Sequence, residues 1–172
     1  MRTPLYVLVT VVLTALPAAA QTTGLQDPLL DRMIGEWVLQ GIIAGDSTTH
    51  DVVFEWVLDH YYVRFHEVAR ETDPATGKAA YEAIVFIGWD EPSQQYACLW
   101  LDSTGGGGLS AQAIGYGAAS GDSIPFLFRF PDGSPFHNTF VYDRDTDTWQ
   151  WHLDGEENGV RQPFARVTLS RK

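Results

Sequence analysis

His50–Ser103, HDVVFEWVLDHYYVRFHEVARETDPATGKAAYEAIVFIGWDEPSQQYACLWLDS, is the stretch whose reading decides the fold. It contains four runs rich in β-branched and aromatic residues, separated by three short reversals. Val52–Leu58 passes through Asp59-His60 into Tyr61–Thr72. Pro74-Ala75-Thr76-Gly77 leads to Ala79–Asp90, and Glu91-Pro92-Ser93-Gln94 leads to Gln95–Asp102. Each link has the turn residues that a tight hairpin needs, so the segment predicts a four-strand antiparallel meander.

Outward from the meander, the pattern continues. Trp37–Gly41 precedes it as a further strand, and Leu109–Ala118, Ser123–Phe130, Phe136–Tyr142, Thr148–Leu153 and Val160–Ser170 follow. The links between these are Ser120-Gly121-Asp122, Pro131-Asp132-Gly133-Ser134, Arg144-Asp145-Thr146-Asp147 and Asp154–Gly159. The one helical signal is Asp27-Pro28, an N-cap followed by a first-turn proline, with Leu29, Leu30, Met33 and Ile34 stopped by Gly35. About ten strands with hairpin-length links predict an all-β, up-and-down antiparallel barrel, with a two-sheet sandwich as the rival. Gly105–Gly108 specifies no turn type and fails the phosphate-loop context, because a strand rather than a helix follows it.

The chain has 172 residues, which suits one domain with a proper core. Arg2, the apolar run Leu5–Leu16 and Ala18-Ala19-Ala20 read as a signal peptide over residues 1–20. Residues 21–26 form a leader, and 27–172 a single barrel domain. The expected destination is the periplasm or the exterior. The whole chain has 11 Lys and Arg against 22 Asp and Glu; removing Arg2 leaves 10 − 22 = −12. Such a surface disfavours nucleic acid and anionic lipid, and no stretch is long enough for a membrane-inserted helix. Cys98 stands alone, so no intrachain disulfide forms, and a small buried apolar role is expected for it.

Register follows from the turns by counting, and register decides which side chains share a face. Pairing Leu58 with Tyr61, Asp73 with Lys78 and Asp90 with Gln95 puts Trp56, Val63, Gly88 and Ala97 in one row. Phe54, Phe65, Phe86 and Leu99 form the next, then Val52, Glu67, Ile84 and Leu101, and finally His50, Ala69, Glu82 and Ser103. This face is expected inside. The other carries Glu55 and Arg64, His66, Trp100, Asp102, Val85, Ile87 and Trp89, and these apolar members need either a cover or the reverse assignment of faces.

On that count Phe54, Trp56, Phe65 and Phe86 line an apolar cavity, and His50, Glu67 and Glu82 stand at its polar end. Two carboxylates and an imidazole there suit the polar head of a ligand, or acid–base work with pKa values pushed apart. The favoured physical description is the wet mouth of the barrel, with ligand contact there in addition. The set lacks a tight metal-ligand motif, and no cofactor is called for. His66, Trp100 and Asp102 form a second cluster, a surface group on this assignment and a pocket if the faces are exchanged. His152, in Trp149-Gln150-Trp151-His152, reads as an outward-facing strand residue rather than a haem ligand.

Leu30–Trp37, Glu55-Trp56-Val57-Leu58, Ile87-Gly88-Trp89-Asp90 and Leu99–Ser103 together resemble the domain of unknown function 1579 family of bacterial proteins. The resemblance runs over nearly the whole exported chain, to Phe164–Lys172. It implies a lipocalin-like (calycin) barrel and no established activity. The chain is more distantly similar to nitrobindin-type haem barrels, including the Asp73–Lys78 turn, and in those a histidine near the carboxyl end holds iron.

The expected function is an exported binding protein for a small, largely apolar molecule. One alternative is a barrel hydrolase or isomerase using Glu67 or Glu82 as base and His50 as acid. The other is an interaction module with a filled barrel, presenting Trp89 and Trp100.

Overall fold

The computed structural model describes residues 24–172; the signal-peptide reading of residues 1–20 and the first half of the leader lie outside the described residues. Helix α1, Pro28–Asp31, is a single turn capped by Asp27, whose carboxylate accepts from the amides of Leu29 (2.8 Å) and Leu30 (3.0 Å). Ten strands follow: β1 Gly35–Ile43, β2 Asp46–Val57, β3 Tyr62–Ala69, β4 Glu82–Asp90, β5 Gln95–Asp102, β6 Ile114–Gly117, β7 Ser123–Arg129, β8 Pro135–Asp143, β9 Thr148–Glu157 and β10 Val160–Arg171. Every strand pairs antiparallel with its chain neighbours, and β1 closes on β10. The expected up-and-down barrel is therefore the fold, and closure leaves no sheet edge to protect.

One end of the barrel is solid. Leu30 and Met33 are buried beneath it, and the indole of Trp37 donates to the Met33 carbonyl at 2.7 Å. Trp56 donates to Asp31 at 2.9 Å and Tyr96 donates to Asp27, so side chains from β2 and β5 tie α1 across the opening. Arg171 lies over the Trp37 ring at 4.2 Å and donates to the carbonyls of Ile34 and Arg32. The helix is thus a plug, and does not cover the outer face of β4 and β5.

The middle of the barrel is packed by aromatic rings. Phe54 and Phe65 stack at 4.6 Å, Phe140 and Trp151 stack at 5.0 Å, and Phe65 meets Trp151 edge-on at 5.8 Å. Between β6 and β7 the barrel is tight because glycines stand where a side chain has no room: a Cβ on Gly115 would lie 2.4 Å from the Phe128 ring, and one on Gly117 would meet the Pro125 carbonyl oxygen. The strand expected over Leu109–Ala118 is shortened to Ile114–Gly117, because a helical turn at Ala111–Ala113 precedes it.

The register count holds for two hairpins and slips in the third. His50 pairs with Ala69 and Trp56 with Val63, as the Asp59-His60 reversal predicts, and Asp90 pairs with Gln95. The Asp73–Lys78 turn also pairs as expected, with Thr72 opposite Ala79. Beyond it, however, Ala69 donates to Tyr81 and Val68 pairs with Glu82, one residue out of step. Arg70 is the extra residue. Its amide turns to Thr49 of β2, and its guanidinium holds Asp51 at 2.8 and 3.0 Å. This bulge exchanges the faces of β4 and β5 relative to β2 and β3.

Candidate functional site

The half of the barrel opposite α1 is hollow. A cavity of about 1030 Å³ opens between the ends of the strands, at the large end of the range for small-molecule sites. Its two sides differ in chemistry. From β2 to β5 the wall carries Thr48, His50, Glu67, Tyr81, Trp100 and Asp102. From β7 to β10 it carries Phe128, Phe136, Trp151 and Leu153, with Phe130 and Phe164 at the rim. The strand order places these groups of strands across the barrel from each other.

The polar wall is built from two hydrogen-bonded groups. Glu67, 1% exposed, meets Nδ1 of His50 through Oε1, and His50 Nε2 lies 2.7 Å from Thr48 Oγ1. Thr48 donates to Glu71 Oε2 at 3.2 Å, so with its one proton used it accepts from His50 Nε2–H. One further proton then lies between Nδ1 and the Glu67 carboxyl. Burial pushes the Glu67 pKa up against the opposing hydrogen bond from His50, and the Asp102 carboxylate raises it further. Glu71 is held below the usual range by backbone amides and by Thr48.

The second group centres on Asp102. The Trp100 indole donates to Asp102 Oδ2 and to the Tyr81 hydroxyl, both at 3.2 Å, while the Thr104 amide donates to Oδ1 at 2.9 Å. Burial and the neighbouring carboxylates of Glu67 and Asp102 push the Tyr81 phenol well above its ordinary value, so it stays a neutral donor. The Tyr81 ring lies against that of His50 at 5.9 Å and joins the two groups.

Of the seven side chains expected at the ligand, two line the cavity: His50 and Glu67. Phe54 and Phe65 face inward but lie in the solid layer beneath it, and Trp56 is at the plugged end against Asp31 and His60. Phe86 and Glu82 are corrections. The Arg70 bulge turns both outward, and Glu82 pairs with His66 on the outer surface at 2.8 Å. The same slip turns Trp100 and Asp102 inward and leaves His66 outside, so the second cluster divides between the two faces. Trp100 therefore cannot share an outer docking surface with Trp89, whose indole donates to Glu91. Missing from the expectation were Tyr81, Trp151, Phe128 and Phe136. Strand alternation puts Trp151 on the face opposite His152, but its place at a void depends on which half of the barrel is filled.

Thr48, His50 and Glu67 have the order of nucleophile, base and orienting acid. Glu71 opposes that use: its carboxylate already accepts the Thr48 proton and would repel an oxyanion developing there. Both His50 nitrogens are engaged, and His152 lies on the outer face between inward-facing Trp151 and Leu153. Burial and Arg166 hold the His152 pKa down, and nothing in this arrangement fits a haem in the cavity ligated by that residue. The arrangement suits non-covalent binding: polar groups fixed on one side and an apolar surface on the other.

Among the described residues no helix is long and apolar enough to cross a membrane. No protein-family model matches the chain, and no curated protein matches it by sequence. Among solved structures it is similar to that of Rv2717c from M. tuberculosis, at 14% identity and a TM-score of 0.53, over 85% of this chain and 98% of that one. At that identity the likeness is one of barrel fold.

Proposed function

We propose that this protein binds one small, largely apolar molecule in the open half of its barrel. The observation that carries the reading is the two-sided cavity of about 1030 Å³, largely apolar from β7 to β10, where Arg129, Asn138 and Gln162 are the polar members, and polar from β2 to β5. A barrel evolved only as a filled scaffold would close this space with side chains, since a void forfeits dispersion contacts from every atom that lines it. A ligand body burying about 250 Å² of apolar surface gains roughly 6 kcal/mol before the costs of association. Fixed hydrogen-bonding groups then select its orientation. Export, and membership of the domain of unknown function 1579 family, belong to the same proposal and rest on the residue patterns of the sequence.

Native mass spectrometry of the protein purified from its own source tests the reading. The expected spectrum contains a species heavier than the chain by one small molecule, lost on denaturation. The bare chain mass in every preparation would overturn it.

A further inference from the structure

The charges that line the cavity are nearly all of one sign. Asp46, Glu67, Glu71 and Asp102 supply four carboxylates, whereas Arg129 is the one Lys or Arg among the lining residues. Arg129 projects from β7, across the barrel from that wall, and is exposed there with a hydrogen bond to the Gly133 carbonyl. Burial holds Glu67 toward its neutral form, so the acidic excess comes from Asp102, Glu71 and Asp46.

A second observation points to an incoming donor. Glu67 Oε2 is buried, belongs to a side chain of the cavity wall and takes no hydrogen bond from the protein. A buried carboxyl oxygen without a donor costs free energy that a ligand N–H, reaching it by a small turn of the Glu67 side chain, recovers. The aromatic rings of Tyr81, Trp100 and Trp151 line the same cavity, and aromatic rings favour cations and aromatic bodies. An anionic head would instead meet Asp102, already supplied with donors by Trp100 and Thr104, while Arg129, the one Lys or Arg of the lining, stands across the barrel.

We propose that the cavity takes an amphiphilic organic cation, its protonated amine turned toward Glu67, Glu71 and Asp102 and its apolar body against Phe128, Phe136 and Trp151. This rests on the binding reading above and names the chemical class of the ligand. Fatty acids and other carboxylate amphiphiles are disfavoured by the same acidic lining.

Three probes of one shape test it by titration calorimetry on the whole exported chain at neutral pH: 4-phenylbutylamine, 4-phenylbutanol and 4-phenylbutyrate. The amine is expected to bind at least about tenfold tighter than the carboxylate, with the alcohol between them. Asp102→Asn is expected to shrink that ratio. Glu71→Gln, at an exposed position on the rim, should do the same should Asp102→Asn not fold. A carboxylate that binds as tightly as the amine, or a ratio unmoved by Glu71→Gln, overturns the cation assignment and leaves the binding cavity standing. Binding of none of the three overturns both.

Discussion

Glu67 is the residue on which the polar wall turns. It is buried, one oxygen meets His50 and the other has no partner within the protein. Its pKa is raised, chiefly by burial. The protonated form is therefore favoured more in the folded chain than in the unfolded one. Below the ordinary glutamate value both states hold the proton and its contribution to stability is intact. As pH rises through the raised value, the folded state must ionise a buried group and that contribution is lost. The surface carboxylates Asp122, Asp143 and Asp147 have the opposite sign, with lowered values that favour folding once they ionise. They are common to both chains in a comparison with Glu67→Gln and cancel. The stability of the wild type relative to Glu67→Gln, from urea midpoints, is expected to fall as pH rises above the ordinary glutamate value of 4.5. Parallel pH profiles for the two proteins would show that Glu67 does not titrate in this way. His50 and Glu67 were legible from sequence because the Asp59-His60 reversal fixes their register directly. Asp102 and Trp100 were not, because they stand two hairpins away.

At the scale of elements, the decisive feature is one extra residue between β3 and β4. The turn itself obeys its sequence: Asp73 and Lys78 pair, and Asp73 caps the loop through the Ala75 amide at 2.7 Å. The slip arises after the turn, where Arg70 leaves the β3–β4 ladder. Its amide and guanidinium are satisfied by Thr49 and Asp51 on the other side. No local residue preference marks this, since the partners that stabilise the bulge lie some twenty positions earlier in the chain. The only trace in the sequence was the discomfort of Val85, Ile87 and Trp100 on a face assigned to water. Thiol labelling reads the register directly, because native Cys98 is fully buried and silent. Ile84→Cys, at a position 37% exposed, is expected to label at least about a hundredfold faster than Val85→Cys, at a fully buried one. The reverse order would restore the slip-free register and return Glu82 and Phe86 to the interior.

For the whole molecule, the two ends of the barrel have different tasks. One is closed by α1 and tied by Asp27, Asp31 and the Met33 carbonyl to side chains from β1, β2 and β5. The other is left open with aromatic residues at its rim. The number of strands and their up-and-down order were readable because strand and turn signals alternate along the chain, and hairpin links leave little choice of neighbour. Which half is hollow was not readable. It depends on how far the helix reaches across the barrel and on where aromatic rings of distant strands meet. Phe65 illustrates this: it faces inward as expected, yet packs among Phe54, Phe140 and Trp151 to form the floor of the cavity instead of lining it. A single titration addresses the central claim, using the fluorescent apolar probe N-phenyl-1-naphthylamine with the wild type and with Ala69→Trp, which places an indole in the cavity beside Glu67. Saturable enhancement at one probe per chain, abolished in a folded Ala69→Trp protein, is the expected result. Enhancement unchanged by Ala69→Trp, or none in the wild type, would contradict it.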